Sequence, residues 1–139
     1  MKSEKAKNVA LWIVQGLLAA VFVFAGGMKL VLPIEAMQGP VALPGAFVKF
    51  IGLAEVLGAL GLVLPWALRI RRVLTPLAAC GLVTIMIGAV AISAATMGAG
   101  AAVVPFVVGT LAGAVAWGRR AALHTRATVS PAAVREALA

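Results

Sequence analysis

Four long apolar segments alternate with short stretches that carry most of the charges and prolines of the chain. Their lengths suit helices that cross a hydrocarbon core about 30 Å thick at about 1.5 Å of rise per residue. Helices are the expected form, because backbone hydrogen bonds must be satisfied within a membrane segment. The pattern therefore predicts an all-α membrane protein, an antiparallel four-transmembrane-helix bundle. The predicted spans cover about residues 9–32, 46–65, 75–95 and 103–118.

Residues 1–118 thus form the predicted transmembrane domain, and residues 119–139 form a basic tail. The fourth span is short, and the Ala-rich stretch before it offers room for an earlier helix start. In the tail, Ser130 and Pro131 resemble the N-cap and first turn of a short helix. The first segment also fits a signal peptide, but more membrane segments follow it instead of a domain for export. We therefore favour a first transmembrane helix.

The lysine and arginine residues lie mostly in clusters between the apolar segments. Three precede the first span, three separate the second span from the third and four lie in the tail, whereas only Lys29 and Lys49 lie on the other side. By the positive-inside rule, both termini and the tail are predicted to be cytoplasmic, in a multi-pass protein of a cell membrane of the bacterial inner-membrane type. Trp12, Trp66 and Trp117 fall at this same boundary, where indole side chains prefer to lie.

Composition agrees with this topology and narrows the candidate classes. Charged residues make up 12% of the 139 residues, whereas soluble domains have about a quarter. The net charge of +8 is divided among clusters instead of covering one face, so we predict a lipid bilayer and no nucleic acid as partner. The only histidine, His124, lies in the tail and is expected to be solvated, and the only cysteine, Cys80, is expected to pack inertly in an apolar run. The sequence therefore has no haem or metal motif.

Glu55 is the candidate for chemistry, because it stands near the centre of the second span, whose only other charge, Lys49, lies near the span end. A charge at that depth costs about 2.5–3.5 kcal/mol on insertion scales and usually has a partner or a function. One interpretation is a structural carboxyl that ties helices together through Gln15 or Thr84. The other is a group that handles a proton or orients a ligand, which makes Glu55 the candidate catalytic residue.

The polar atoms of the first span share one stripe, which includes Trp12, Gln15, Phe22 and Lys29. Together with Thr84 of the third span, these four residues are the candidate ligand-binding residues. Lys29 lies nearer the outside than Glu55, so a direct pair requires an extended lysine and tilted helices. Otherwise Lys29 carries its charge to the outer surface. The sequence leaves both arrangements open.

Small residues mark one face of each span, and such faces allow helix backbones to approach closely. In the second span they surround the carboxylate, and in the fourth they have the GxxxG spacing. The pattern predicts a compact bundle packed through these faces. The candidate packing residues are Gly26, Gly52, Gly58, Gly61, Gly88, Gly109 and Gly113.

Residues 12–30, WIVQGLLAAVFVFAGGMKL, resemble the first helix of the DoxX and DoxX-like family of small four-helix membrane proteins. Residues 51–65, IGLAEVLGALGLVLP, are similar to that family's second helix, and residues 74–89 and 116–119 extend the resemblance. Family members often place a His near the end of the third helix and an Asn in the fourth, where this chain has Ser93 and Pro105. The matching positions are Gln15, Gly26, Lys29, Gly52, Glu55, Gly58, Gly61, Pro76 and Gly88.

The resemblance implies a link to membrane redox complexes and to quinone or catechol detoxification. We therefore predict a redox-linked subunit that binds a quinone-like or other small lipophile between its helices near Glu55, with quinone as candidate cofactor and a membrane redox protein as candidate partner. Two alternatives stay open: a non-enzymatic assembly or helper subunit, and a lipophile isomerase or hydrolase that uses Glu55 as general acid or base. The sequence also leaves open whether the chain is an enzyme and whether it forms a homo-oligomer.

Overall fold

The computed structural model describes residues 2–37, 39, 41–121 and 131–139. Its four long helices are α1, Lys2–Val31; α2, Gly45–Ala67; α3, Leu74–Thr96; and α4, Ala99–Gly118. All four are long and apolar enough to cross a membrane, so the predicted four-helix membrane bundle is confirmed. A 3-10 helix, Ile34–Met37, lies between α1 and α2, and a short helix α5, Pro131–Leu138, lies in the tail.

Two helices begin earlier than the apolar segments indicate. α1 begins at Lys2, because the polar residues ahead of the first span continue its helix and place Glu4 in the first turn, where a negative charge complements the helix dipole. α4 begins at Ala99, within the Ala-rich stretch. Gly98 makes the tight connection from α3 with a φ of 93°, a conformation that glycine adopts without steric cost. Apolar length therefore marks the membrane span and underestimates the helix.

The bundle consists of two tightly packed hairpins, α1 with α2 and α3 with α4, which meet through α2–α3 and α1–α4 contacts. Both ends of the four-helix domain lie at the same end of the bundle. The outer surface is apolar, with exposed side chains such as Phe24 and Phe106, as expected for helices that face lipid. The core between the helices consists of Leu18, Phe22, Ala59, Leu62, Ala79, Leu82, Met86, Ala112 and Val115.

α1 and α2 are in backbone contact at Gly26 and Gly52. A Cβ at Gly26 would lie 2.6 Å from the carbonyl oxygen of Gly52, and a Cβ at Gly52 would lie 2.9 Å from that of Gly26. Only glycine on both helices permits this approach, which fixes the depth at which the two helices cross. The polar residues one turn further along each helix are placed by this crossing.

The other candidate packing glycines differ in how closely a neighbour approaches. Gly58 faces Leu82 and Gly61 faces Ala78, in both cases across α2 and α3, and Gly109 of α4 faces the Cβ of Met86. Gly113 is in looser contact, 4.0 Å from Val83. Gly88 departs from the packing expectation, because nothing lies within 4 Å of its Cβ position. It borders an open space between the hairpins.

The end of α2 is held by side chains from both neighbouring helices. Pro65 lies inside α2 and has no N–H, so the carbonyl of Gly61 loses its usual partner in the helix. The Thr75 hydroxyl of α3 donates to this carbonyl at 3.0 Å. The side-chain amide of Gln15, from α1, donates to the next carbonyl, that of Leu62. These bonds satisfy polar backbone groups in a region without water.

Candidate functional site

Lys29 and Glu55 form an ion pair between α1 and α2, with Nζ 2.7 Å from Oε2. The pair follows from the glycine contact: the Cβ of Glu55 lies opposite Gly26 and that of Lys29 lies opposite Gly52. The side chain of Glu55 is 3% exposed and that of Lys29 is 31% exposed. Of the two arrangements that the sequence leaves open, the structure has the direct pair.

The ion pair lies in the wall of a cavity of about 620 Å³ between the two hairpins. All four long helices contribute to its lining, which is apolar except for Lys29, Glu55, Thr84 and Ser93. The open space beside Gly88 belongs to this cavity. The lining residues on which the arguments below depend are Phe22, Lys29, Phe50, Ile51, Glu55, Thr84, Gly88 and Val104.

Such a cavity can hold an apolar molecule and fix one polar end of it. Its volume lies within the range of about 300–1,000 Å³ that is typical of small-molecule sites, which are mostly apolar with a few polar groups that set orientation. The ammonium group of Lys29 has three N–H groups, of which the bond to Glu55 uses one. A donor and a carboxylate are therefore adjacent in a region of low dielectric constant, where electrostatic interactions are strong.

A second polar site lies at the end of the bundle that holds the two ends of the four-helix domain. We call it the Arg119 cluster; it consists of Asn8, Trp12, Gln15, Trp66 and Arg119. Arg119 is 4% exposed, and it donates from Nε to Gln15 Oε1 at 2.8 Å and from Nη1 to Asn8 Oδ1 at 2.7 Å. Its guanidinium carbon lies 4.0 Å from the centre of the Trp66 ring and 5.9 Å from that of Trp12. This cluster connects α1, α2 and the end of α4.

Two positive charges, those of Arg72 and Arg119, lie close together at this cluster. Burial lowers the pKa of the Arg119 guanidinium from its usual value, and the nearby charge of Arg72 lowers that pKa further. Arg72 also lies over the Trp66 ring, at 4.8 Å from its centre. Arginine nevertheless keeps its charge in proteins. The Trp66 ring is therefore in contact with two cations.

The structure divides the sequence-predicted site residues between these two sites. Phe22, Lys29 and Thr84 line the cavity with Glu55. Gln15 and Trp12 lie instead in the Arg119 cluster, so Gln15 hydrogen bonds with Arg119 and Leu62 and not with Glu55. The Thr84 hydroxyl donates to the Cys80 carbonyl of its own helix at 3.0 Å, so it does not tie Glu55 to α3.

Arg119 was not among the residues that the sequence singled out. Its charge was assigned to the tail, because it follows the last apolar residue of the fourth span. The sequence does contain an indication of this role. One predicted depth is shared by Trp12, Trp66 and Trp117, and Arg119 lies two residues after Trp117. A cation at the depth of two tryptophans from other helices can contact their rings.

Replacing Arg119 with Lys is expected to destabilise the bundle by about 2 kcal/mol, since lysine keeps the charge and loses the planar fork that reaches two acceptors and two rings. Arg120→Lys is the matched control, because Arg120 is exposed and only stacks on Trp117, at 3.5 Å from the ring centre. The free energy of unfolding in mixed micelles, followed by far-UV circular dichroism, measures both variants. Equal losses in the two variants would contradict a structural role specific to Arg119.

Metal chemistry has no candidate site among the residues that the structure describes, where no group of three or more His, Cys, Asp or Glu side chains could hold an ion. Cys80 is exposed on the outer surface of α3 and forms no disulfide. His124 lies outside the described residues. Among the described residues, the hydrogen bonds that join two side chains are thus found in the ion pair and the Arg119 cluster.

The fold and the cavity define a small multi-pass membrane protein of four transmembrane helices with an ion pair set into its interior. The sequence model of the DoxX-like family matches residues 13–115, about three quarters of the chain. The chain therefore belongs to the DoxX-like family. No curated protein and no solved structure matches it.

Proposed function

We propose that this protein binds a quinone-like or other small lipophile in the cavity beside Lys29 and Glu55, as a redox-linked subunit of the membrane. The observation that carries the proposal is the placement of a buried ion pair in the wall of an otherwise apolar cavity of about 620 Å³. An ion pair is costly to bury and is often neutral or unfavourable for stability compared with apolar packing. A role toward a ligand gives a reason for its presence.

The two members of the pair suit a quinone head group in different ways. A free N–H of the Lys29 ammonium can donate to a ring carbonyl, and the Glu55 carboxylate can accept or release a proton. Reduction of a quinone takes up electrons and protons together, so a group that exchanges protons next to the ring assists the change. The electrons would come from a membrane redox partner. Aromatic and aliphatic side chains of the cavity, such as Phe22 and Ile51, suit the ring and its apolar tail.

Orientation in the membrane is part of the same proposal. The Arg119 cluster and the Arg-rich connection between α2 and α3 lie at the end of the bundle that holds both ends of the four-helix domain, and the positive-inside rule favours this end as cytoplasmic. The cavity then lies in the half of the bundle nearer the outside of a bacterial-type inner membrane.

The helper alternative receives less support. A helper subunit would need small-residue faces free for docking on a partner, but Gly26, Gly52, Gly58, Gly61 and Gly109 are in close contact with side chains or backbone of this same chain. Those faces are therefore used within the bundle. An isomerase or hydrolase that uses Glu55 as general acid or base has Lys29 as its nearest polar group, which already forms the ion pair.

A cavity-filling substitution tests the proposal. Gly88→Leu places an isobutyl group in the cavity, where it competes with the ligand for space, and it is expected to weaken binding of a short-chain benzoquinone roughly tenfold, or about 1.4 kcal/mol. Binding is measured by isothermal titration in mild detergent, and native mass spectrometry shows whether a lipophile is retained from the membrane. Helicity by circular dichroism verifies folding.

Gly81→Leu is the matched control, because Gly81 lies on the same helix, also has nothing within 4 Å of its Cβ position and does not line the cavity. The proposal requires that this variant bind the quinone as the wild type does. Unchanged binding in Gly88→Leu, or absence of any bound lipophile in the folded wild type, would overturn it and favour the helper subunit.

A further inference from the structure

A small polar pocket lies beside the Arg119 cluster, at the opposite end of the bundle from the apolar cavity. Its volume is about 300 Å³, and it is lined by Asn8, Trp12, Trp66, Ala67, Arg69 and Arg72. Arg69 and Arg72 belong to the connection between α2 and α3, and the other residues lie on α1 and α2. The pocket is therefore formed where the connection folds back over the first two helices.

Positive charge around this pocket is uncompensated. Within the described residues, the structure gives none of Arg69, Arg72 and Arg119 a carboxylate partner, since the ion pair that it contains joins Lys29 and Glu55. Arg72 and Arg119 both lie over the ring of Trp66, which forms a wall of the pocket. Two like charges near one ring repel each other, and an anion bound in the adjacent pocket would lower that energy.

Two buried hydrogen-bond donors at this site also have no acceptor within the described residues. They are Nη2 of Arg119 and Nε1 of Trp66. A buried donor without an acceptor destabilises the folded state, so such groups call for an explanation. Arg119 is held behind the pocket wall by its bond to Asn8, which fixes the position of its charge.

We propose that this pocket binds a phosphate group, with Arg69 and Arg72 in contact with its oxygens and Arg119 as a positioning residue that holds Asn8 and Trp66. Guanidinium groups bind phosphate through paired, charge-assisted hydrogen bonds. The pocket lies where the apolar helices end, at the depth of head groups if these helices span a bilayer. The same chemistry fits the phosphodiester of an anionic lipid or free phosphate. This inference is independent of what the apolar cavity binds.

Lipid competition tests the pocket in the full chain. The protein in mild detergent is offered phosphatidylglycerol and phosphatidylcholine with the same acyl chains, and native mass spectrometry counts the bound molecules. In a second arm, sodium phosphate is titrated against sodium chloride at constant ionic strength, and intrinsic tryptophan fluorescence reports on Trp12 and Trp66. We expect the wild type to prefer phosphatidylglycerol or to respond saturably to phosphate.

The variant Arg69→Gln with Arg72→Gln is expected to weaken this binding about tenfold or more, because it removes the charge-assisted contacts. The matched control is Arg71→Gln with Arg120→Gln, which removes the same charge from residues at the same end that do not line the pocket. The control is expected to retain most of the preference. Both pairs are exposed, so folding is expected to be unchanged and is checked by circular dichroism.

The two arms identify the source of the phosphate. A response to phosphatidylglycerol alone supports a head-group site, and a saturable response to inorganic phosphate supports a site for the free anion. No preference in either arm for the wild type would overturn the proposal. An equal loss in the pocket variant and the control would also overturn it, because it would show only diffuse attraction between a basic surface and anions.

Discussion

Lys29→Met is expected to destabilise the bundle by about 3 kcal/mol, and Glu55→Gln by only about 1 kcal/mol, when the free energy of unfolding is measured in mixed micelles. The reason is that the Glu55 side chain is more deeply buried than the Lys29 side chain with which it pairs. Without Lys29, the carboxylate of Glu55, whose side chain is 3% exposed, remains in the interior with no counter-charge. Without the carboxylate, Lys29 is 31% exposed and can extend its charge toward the interface.

The double variant, Lys29→Met with Glu55→Gln, provides the internal control. It removes both charges, so it is expected to recover most of the loss of Lys29→Met, which corresponds to a coupling energy of about 3 kcal/mol in the cycle. Glu35→Gln makes the same chemical change at a residue outside the bundle core and is expected to have little effect. Additive losses in the double variant would mean that the two charges do not stabilise each other in the folded protein.

The second large effect is expected where α1 and α2 touch. Gly26→Ala should destabilise the bundle by about 2 kcal/mol, because its methyl group would lie 2.6 Å from the carbonyl oxygen of Gly52 and the backbones would have to separate. Gly27→Ala should be neutral or slightly stabilising, since nothing lies within 4 Å of its Cβ position and alanine is the better helix former by about 1 kcal/mol.

These adjacent glycines make a sharp comparison, because the same substitution on the same helix turn is expected to destabilise the bundle at Gly26 and not at Gly27. Thermal unfolding in one detergent, read by circular dichroism, is sufficient to rank the two variants. A similar change in both would show that the close approach of the helices has no energetic importance. Separation of the helices should also lengthen the Lys29–Glu55 contact, so Gly26→Ala is expected to reduce the coupling between those two residues.

The helices of this fold could be predicted from the sequence because membrane segments are encoded by local hydrophobicity. Each span is a contiguous run, and its length is set by the bilayer and not by its neighbours. The ends of the helices were less predictable. Lys2 to Asn8 is polar and yet helical, because a helix can continue beyond the hydrocarbon core when its backbone bonds are made internally.

Contacts in the candidate site could be predicted only where they follow from the helix face that a residue occupies and from its depth in the membrane. Glu55 could be recognised as the central polar residue, but its partner depended on the tilt of α1 against α2, which the Gly26–Gly52 contact sets. Gln15 shares the stripe of Lys29 and still belongs to another site. The two residues are 14 positions apart, and at about 1.5 Å of rise per residue this separates them by about 21 Å along α1. A helical wheel predicts which face of its helix a residue occupies, but it does not predict which residue of another helix lies opposite.

Arg119 was the least accessible to sequence reasoning. Its acceptors, Asn8 and Gln15, lie more than a hundred positions earlier in the chain, so no local periodicity relates them. Their meeting requires the whole bundle to close, with α4 returning to the beginning of α1. Gly88 illustrates the reverse case, since its spacing is typical of a packing residue and the hairpins separate just where it lies.

The rim of the apolar cavity includes Phe50 and Val104, whose side chains are 65% and 69% exposed on the outer surface of the bundle. The cavity therefore opens on the lateral, apolar surface of the bundle. A lipophile bound there, as proposed above, would be supplied by lateral diffusion, and its occupancy would depend on its mole fraction in the bilayer. Dissociation constants for such a molecule should then scale with the amount of lipid or detergent present, and modest intrinsic affinity is sufficient for a molecule that the membrane already concentrates.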